Sequence, residues 1–519
     1  MSTIGAVPPP AAVPSDIVEL VLRHANDRPT SMALRDEAAS FTYQELAERV
    51  GAMASGLGAL GVAPGDRVAL YLGNSAEFVV LALACLWLGA PFVPLAVDSP
   101  ASRLAGIIAD CDPALVVTGG QDALAPPRLA APTATAVEVI AVSSCSVARS
   151  TDPERDAYLI YTSGTTGRPK GVRVEERAFR WAVCRCAEAI GLDETARALA
   201  VSSFHFDGSY GLVFPVLAAG GSLLVPRRED ILFLRRFYQL VVDEKITFTS
   251  FSPSYLRLVV SSRQLARLAG CRLRAVALGG EQCIAADIQR LWSVLPEVEV
   301  FNRYGPTETT IAVTTYRVTT EDVASGRVPI GAPHEGVEFY IVGEDGQVIA
   351  DHDEPGELYV GGEQLMGGYW GDEELTQSVL RRDVVAGKTV YKTGDLVYRD
   401  RRGLFVYSGR LDDVVKRNGV RISLDEVARA LRSTSGVTGA WCALVDLNGS
   451  PGIAAFVEAG PEVAVTSLYE AAERQLPATM LPDEVHVVGT LPMTHQGKVD
   501  RRRLLADAGH TAWSSAGPP

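Results

Sequence analysis

The sequence predicts an α/β protein with a large N-terminal domain and a smaller α+β C-terminal domain, on three observations. The chain has 519 residues, more than one hydrophobic core usually serves, so at least two domains are expected. Strand-like and helix-like runs alternate through its middle, the pattern of parallel sheets with helices on their faces. Near 330–408 short β-runs take over, and beyond Arg410 the pattern becomes a compact mixture of helices and strands. The predicted domains are therefore 1–411 and 412–519.

The elements follow in order. Residues 1–14 are rich in Pro and Ala and read as a loose tail. The run 41–61, FTYQELAERVGAMASGLGALG, has helical spacing, with Thr42 as N-cap and Glu45 three residues on to complete a capping box. RVALYL (67–72) reads as a buried strand and 76–88 as a helix. The stretch 119–155, biased to Ala, Pro and Ser, reads as an irregular connection. Strands are expected at 158–162, 222–226, 274–280 and 297–305. VEFYIV, GELYVGG and GLFVYSG then form a β-rich subdomain. The last hundred residues read as helix (SLDEVARALRS), two strands (GAWCALV, GIAAFVE) and helix (LYEAAERQL).

Composition narrows the function. Hydrophobic residues make up 47% and charged residues 21%, which excludes wholesale disorder. A net charge of −14 argues against a nucleic-acid surface but leaves room for a local anion site. The eight cysteines form no CxxC pair and read as small buried hydrophobes in a reducing compartment, not as zinc ligands or disulfides. The N-terminus lacks the pattern of a signal peptide. The most apolar stretch, 78–94, is broken by Gly89 and Pro91 and too short to span a bilayer. A soluble, cytoplasmic protein without a membrane partner is expected.

The strongest chemical signal is LIYTSGTTGRPKGV (159–172). A hydrophobic strand runs into a loop holding Gly164, Gly167 and Gly171, the hydroxyls of Thr162, Ser163, Thr165 and Thr166, and Lys170. Glycines let backbone N–H groups converge on an anion, hydroxyls add donors, and lysine adds a cation. The loop suits phosphate, yet it does not fit G-x-x-x-x-G-K-[ST], and Pro169 blocks that register. In NRYGPTETT (302–310), backbone carbonyls and the Asn302 amide could meet an adenine edge, Tyr304 offers a flat face, and Glu308 is a hard oxygen ligand for Mg²⁺. In YKTGDLVYRD (391–400), Asp395 is expected in a turn, where a carboxylate could accept both hydroxyls of a ribose.

The string TSGTTGRPKGV resembles the phosphate loop of the adenylate-forming superfamily: nonribosomal peptide synthetase adenylation domains, acyl- and aryl-CoA ligases, and luciferase. Further similar strings run in order from FTYQEL (41–46) to GKVDRRRL (497–504). The resemblance implies a fold of mixed sheets with a mobile C-terminal domain hinged at Asp412, and ATP with Mg²⁺ as cofactors. It implies a nucleotide site of Thr162, Ser163, Gly164, Thr165, Thr166, Gly167, Gly280, Glu281, Asn302, Arg303, Tyr304, Gly305, Thr307, Asp395 and Arg410. It gives catalytic roles to Lys498, Lys170, Thr307 and Glu308, the last also holding the metal. The physics suits Lys498: attack of a carboxylate on an α-phosphate joins two anions, and a cation placed there stabilises the transition state. His495 and Gln496 stand where the family usually has Pro-Asn, with the lysine kept in register. Lys416, in VVKRNGVRI (414–422), lies where the family presents a loop to a thiol acceptor, though Val414 and Asn418 depart from its usual Gln and Arg.

Phe-Asp-x-Ser in SFHFDGSYG (203–211) resembles the amino-acid-activating branch, whose Asp, here Asp207, pairs with the substrate ammonium. A buried carboxylate calls for such a cation, and a CoA ligase for fatty or aryl acids, the alternative function, does not need it. The implied pocket is Asp207, Gly208, Gly211, Ser250, Ala277, Gly279, Arg303, Ile311 and Ala312, with Lys498 reaching the carboxylate. Most are small; Arg303 is the exception. Either it faces a second substrate carboxylate, as in aspartate, glutamate or a β-amino relative such as 3-methylaspartate, which would resemble the β-amino-acid-activating branch, or it turns away to a protein carboxylate. No phosphopantetheine attachment pattern follows Lys498, so the expected acceptor is the pantetheine arm of a discrete carrier protein.

Overall fold

The computed structural model describes residues 16–119, 131–142, 147–162, 169–411, 414–417, 419–447, 450–460, 462–492 and 499–510. Helix α1 (Tyr43–Ala59) starts as its sequence predicts. The Thr42 side chain accepts the Glu45 N–H, and the Glu45 side chain accepts the Thr42 N–H. Strand β1 (Val68–Tyr71) and helix α2 (Ala76–Leu88) follow, and Gly89, with φ of 77°, ends α2 in the left-handed conformation glycine tolerates. The described part of the 119–155 connection holds regular elements that its composition did not suggest. It contains a strand, Thr133–Thr135, parallel to Leu115–Thr118, and a helix, Ala136–Ala141, opened by a second capping box of Thr135 and Glu138. The Ala/Pro/Ser bias masked that Thr-x-x-Glu signal.

Two large sheets form the N-terminal part, and both are mixed. In the first, of seven strands, β2 (Asp156–Thr162) and β3 (Lys170–Glu175) make an antiparallel hairpin around the glycine–hydroxyl loop. Helix α3 (Glu176–Ile190) and helix α4 (Tyr210–Ala218) pack against one another between the sheets through Phe179, Tyr210 and Phe214. In the second, of eight strands, β4 (Phe248–Phe251), β5 (Ala275–Gly279) and β6 (Glu299–Tyr304) run parallel side by side. The β-rich region is an antiparallel sheet of five strands that includes β7 (Val390–Arg399) and β8 (Phe405–Arg410).

Beyond residue 413 the chain forms a hairpin, β9 (Val414–Arg417) and β10 (Val420–Ser423), then helix α5 (Leu424–Arg432). A three-stranded sheet follows, β11 (Val437–Leu447), β12 (Ser450–Ala459) and β13 (Glu484–Val488), and then helix α6 (Arg501–Asp507). The period-2 alternation of β12 divides this core into two layers. Ile453, Ala455 and Val457 face α5, while Ala454 and Phe456 pack with Leu491, Val499 and Leu504. The α5 side meets the larger part: Arg103 pairs with Glu426 at 2.7 Å, the Ser102 hydroxyl donates to the Arg474 carbonyl at 2.8 Å, and Phe206 packs on this core. The seven described cysteines are free thiols and six are buried. No described helix is long and apolar enough to cross a membrane.

Candidate active site

The parallel strands β4, β5 and β6 bring their carboxyl ends together, the edge at which open α/β sheets bind ligands. Ser250 stands opposite Ala277, and Gly279 opposite Arg303. Asp207 and Gly208 open the 3₁₀ turn that leads into α4, which carries Gly211. Ile311 and Ala312 enter from the turn after β6. The convergence is tight. A Cβ built on Gly211 would lie 2.5 Å from Arg303 Nη1 and 2.9 Å from Ile311 Cγ2, so only glycine leaves room for the guanidinium.

Two buried, opposite charges stand in this pocket. Arg303 is 6% exposed; it donates to the Gly211 carbonyl at 2.7 Å and to the Ser250 hydroxyl, and it also bonds the Cys186 thiol. None of these partners is a carboxylate, so the reading in which Arg303 turns away to a protein anion is corrected, and its Nε has no partner among the described residues. Burial draws its pKa down. Asp207 accepts the Thr307 hydroxyl at 3.3 Å on Oδ1, while Oδ2 is buried without a partner among the described residues. Burial pushes this carboxyl up to about 7; the Thr307 hydrogen bond opposes the rise and the nearby Glu308 charge adds to it.

The predicted phosphate residues meet beside it. Lys170, at the start of β3, places Nζ 2.9 Å from Glu308 Oε1 and 2.5 Å from the Tyr369 hydroxyl, which donates to the same carboxylate oxygen at 2.7 Å. Glu308 is fully buried. The Thr162 hydroxyl, at the end of β2, is buried without a partner among the described residues. Ser163, Gly164, Thr165, Thr166 and Gly167 lie outside the described residues, as do Asp412 and Lys498.

Toward the third sheet, the Tyr304 hydroxyl donates to Asp395 Oδ2 at 2.6 Å, and Arg410 pairs with Oδ1. Asp395 is fully buried and sits inside strand β7 opposite Arg410, not in the expected turn. Two residues of the expected nucleotide site have their side chains engaged inside the fold. The Asn302 amide donates to the Pro329 carbonyl at 2.7 Å and its oxygen accepts the Cys283 thiol at 3.1 Å, so its side chain is committed inside the fold and not turned to a purine edge. The Glu281 carboxylate is likewise committed, to the Ser254 N–H at 2.8 Å and hydroxyl, and to the Gly419 N–H at 3.0 Å. Gly305 serves close approach, since a Cβ there would lie 2.6 Å from Ala312 Cα.

The β9–β10 hairpin closes over this region. Lys416 Nζ stands 5.5 Å from the Tyr304 ring centre, and a Cβ on Gly280 would lie 3.0 Å from Gly419 Cα. The described neighbours of the Lys498 segment, Leu491 and Val499, pack on the other layer of the small core, away from α5.

Three residues enter that the motifs did not reveal. Tyr369 pairs beside β3 through Val172, which sets its hydroxyl between Lys170 and Glu308. Cys186 supports Arg303 from α3. Gln364, 1% exposed, donates to the Thr310 carbonyl at 3.1 Å and the Ala312 carbonyl at 2.8 Å, holding the turn that carries Ile311. Only the Gly-Gly-Tyr-Trp string near Tyr369 hints at any of them.

Over 496 residues, 93% of this chain, the sequence is 30% identical to surfactin synthase subunit 2 of Bacillus subtilis (strain 168); the match covers 14% of that longer protein. Among solved structures, IdnL1 superposes with a TM-score of 0.79 at 28% identity, covering 92% of this chain and 99% of that one. PA1221, a nonribosomal peptide synthetase protein containing adenylation and PCP domains, superposes with a TM-score of 0.84 at 25% identity, covering 95% of this chain and 84% of that one. The description "AMP-binding enzyme" matches residues 21–370. With that match laid over the loop, the sheet edge and the carboxylates described above, the chain belongs to the AMP-binding enzymes, the adenylate-forming family.

Proposed function

We propose that the protein activates an amino acid bearing a second carboxylate, using ATP, and passes the acyl group to the phosphopantetheine thiol of a carrier protein. In the first step a substrate carboxylate oxygen attacks the α-phosphorus of ATP, the bond to the bridging oxygen breaks, and pyrophosphate leaves. In the second, a thiolate attacks the acyl carbon and AMP leaves. The observation that carries the substrate reading is the pair of buried pocket charges, each with a polar atom unpartnered among the described residues: Asp207 Oδ2 and Arg303 Nε. A buried ion without a counter-charge is costly. One ligand carrying an ammonium and a distal carboxylate would offset both.

The chain's own residues divide the remaining work. Arg303 and Ser250 hold the distal carboxylate, and Asp207 holds the ammonium while Thr307 orients it. Lys170 faces the phosphates once it releases Glu308. Asp395 and Arg410 take the ribose side, and Lys498 comes to the reacting phosphoryl group when the C-terminal domain, residues 412–519, turns about Asp412. A buried carboxylate with hard oxygen donors fits Mg²⁺, which Glu308 would hold and which would neutralise charge on the phosphates. The hairpin over Gly280 supports an arrangement suited to the thiol step, with Lys416 at the entry.

The test is ATP–pyrophosphate exchange over a panel of amino acids, with Arg303→Met beside the natural chain. Aspartate, glutamate or 3-methylaspartate should turn over best, and the variant should lose these substrates by roughly 30-fold or more, the effect of breaking a buried charge pair. Strong exchange with Val, Leu or Phe and none with acidic substrates would end the acidic reading.

A further inference from the structure

A second cluster lies in the small core, on the layer away from α5, and takes no part in the reaction above. Glu484 and His486 stand two residues apart on β13, so their side chains share one face of the strand. His510, just after α6, meets them there. His486 Nε2 and His510 Nε2 are 3.0 Å apart; Glu484 Oε2 is 3.2 Å from His486 Nε2 and 3.0 Å from His510 Nε2. Among the described residues this is the one group of three such donors that converges within metal-binding range.

We propose that Glu484, His486 and His510 form a binding site for a divalent transition ion of the zinc class. The first argument is the size of the triangle. A zinc ion sits about 2.0–2.1 Å from imidazole nitrogen and carboxylate oxygen, which for angles between octahedral and tetrahedral sets donor separations of about 2.9–3.4 Å. All three observed edges fall in that interval. The second is donor chemistry. Two imidazoles and one carboxylate suit borderline ions such as Zn²⁺ better than Ca²⁺ or Mg²⁺, which prefer oxygen alone.

The third argument is preorganisation. The His486 ring stacks on Phe456 with centres 5.1 Å apart and planes 15° apart, and His510 meets the edge of the same ring at 6.4 Å and 79°. The His510 N–H also donates to the Leu505 carbonyl at 2.9 Å, fixing its backbone to the end of α6. One phenyl ring thus aims both Nε2 atoms at a common point. The side chains of His486 and Glu484 are 33% and 42% exposed and that of His510 is 11% exposed, so remaining coordination positions open toward water. Two neutral rings with facing Nε2 atoms also need a hydrogen on one of them. A metal binding both Nε2 atoms takes the place of that contact, with each ring carrying its one hydrogen on Nδ1.

The consequence is mechanical. His486 and His510 are separated by 24 positions, and Lys498 lies between them in the sequence. An ion here would tie the strand before that lysine to the chain after α6, anchoring both flanks of its segment to one sheet. The site does not depend on which carboxylic acid is activated.

The test is a titration of the dialysed full-length chain with ZnCl₂ against a chromophoric chelator, with an unfolding curve at each point. One Zn²⁺ per chain and an unfolding temperature that climbs with free Zn²⁺ are expected, as are visible d–d bands when CoCl₂ replaces it. His510→Asn and Glu484→Gln, which keep the stacked ring in place, should each weaken binding at least tenfold and remove the thermal shift; circular dichroism checks that both are folded. An unchanged stoichiometry and affinity in either variant would overturn the proposal. So would a natural chain that takes up no ion at submillimolar zinc.

Discussion

The Glu281 carboxylate accepts the backbone N–H of Gly419 across 3.0 Å, joining the large part of the chain to the hairpin of the small one beside Gly280. Its other oxygen is held by Ser254, so the acceptor is fixed before the hairpin arrives. A hydrogen bond to a charged acceptor is worth about 1.5–3 kcal/mol, or roughly 10- to 100-fold. Glu281→Ala should slow acyl transfer to a pantetheine thiol by about tenfold or more while ATP–pyrophosphate exchange changes less than about threefold. Single-turnover measurements of the two half-reactions separate the effects. Equal losses in both would show that this contact does not select between them.

Lys170 and Glu308 form a part-buried pair whose members respond unequally to loss of the partner. Lys170 keeps 16% side-chain exposure and can turn to water, whereas Glu308 has none. Lys170→Met strands a buried carboxylate and should lower stability by about 3 kcal/mol. Glu308→Gln should cost less, and the double variant should recover at least half of the Lys170→Met loss. Urea unfolding of the four proteins closes the cycle. Strict additivity would mean that the pair contributes nothing to the fold.

Much of this site was legible because its chemistry is contiguous in sequence. Lys170 sits in one string with its loop, and the 302–310 string carries Arg303, Tyr304, Thr307 and Glu308 together. The pocket positions were legible because neighbouring parallel strands put Ser250, Ala277, Gly279 and Arg303 at one edge whatever their side chains. Tyr369 was not legible. Its role arises from pairing with the strand that carries a lysine 199 positions away, and no local pattern encodes that distance. The internal partners of the Asn302 and Glu281 side chains were not legible for a related reason: each motif fixes where the backbone goes, but a buried amide or carboxylate takes the nearest partners that satisfy it. The fold of the small unit followed from its patterning, whereas the converging Glu484, His486 and His510 depend on how β13 meets the end of α6.

Asp207 gives the site a pH signature. Its carboxyl is raised from 3.8 to about 7 in the folded chain, so the fold prefers the protonated form. That contribution to stability is complete below about pH 4, declines as pH rises through the folded value and is gone above about pH 7. Relative to the natural chain, Asp207→Asn should therefore gain stability between pH 4.5 and 8, by roughly 2–4 kcal/mol for a fully buried carboxyl. Taking the difference between the two proteins removes Glu176, which burial also pushes up to about 7. Activity should run the opposite way. The ammonium needs the ionised carboxylate, so kcat/KM for the amino acid should fall about tenfold per unit below pH 7, and Asp207→Asn should lose most activity at every pH. An inflection near 7 that survives in the variant would assign the titration elsewhere.

Gln364 holds a turn that its own residues would not adopt unaided. Thr310 and Ile311 have φ of 57° and 68°, in the left-handed region that β-branched side chains avoid. The Gln364 side-chain amide donates to the carbonyls on both sides of Ile311, and the Gln364 carbonyl accepts the Thr310 hydroxyl at 2.9 Å. His334 Nδ1 lies 3.3 Å from the Gln364 side-chain oxygen, which sets which end of the amide faces the turn. Gln364→Leu keeps the volume but leaves two buried carbonyls without donors, at about 1–3 kcal/mol of stability. Gln364→Glu would turn oxygen toward oxygen and should be worse. Because Ile311 closes the pocket against Gly211, a relaxed turn should raise KM for the amino acid about tenfold while KM for ATP and kcat change less than about threefold. A rise in both KM values would place the strain under the nucleotide instead. Unchanged kinetics in a destabilised Gln364→Leu would make the clamp a device of folding alone.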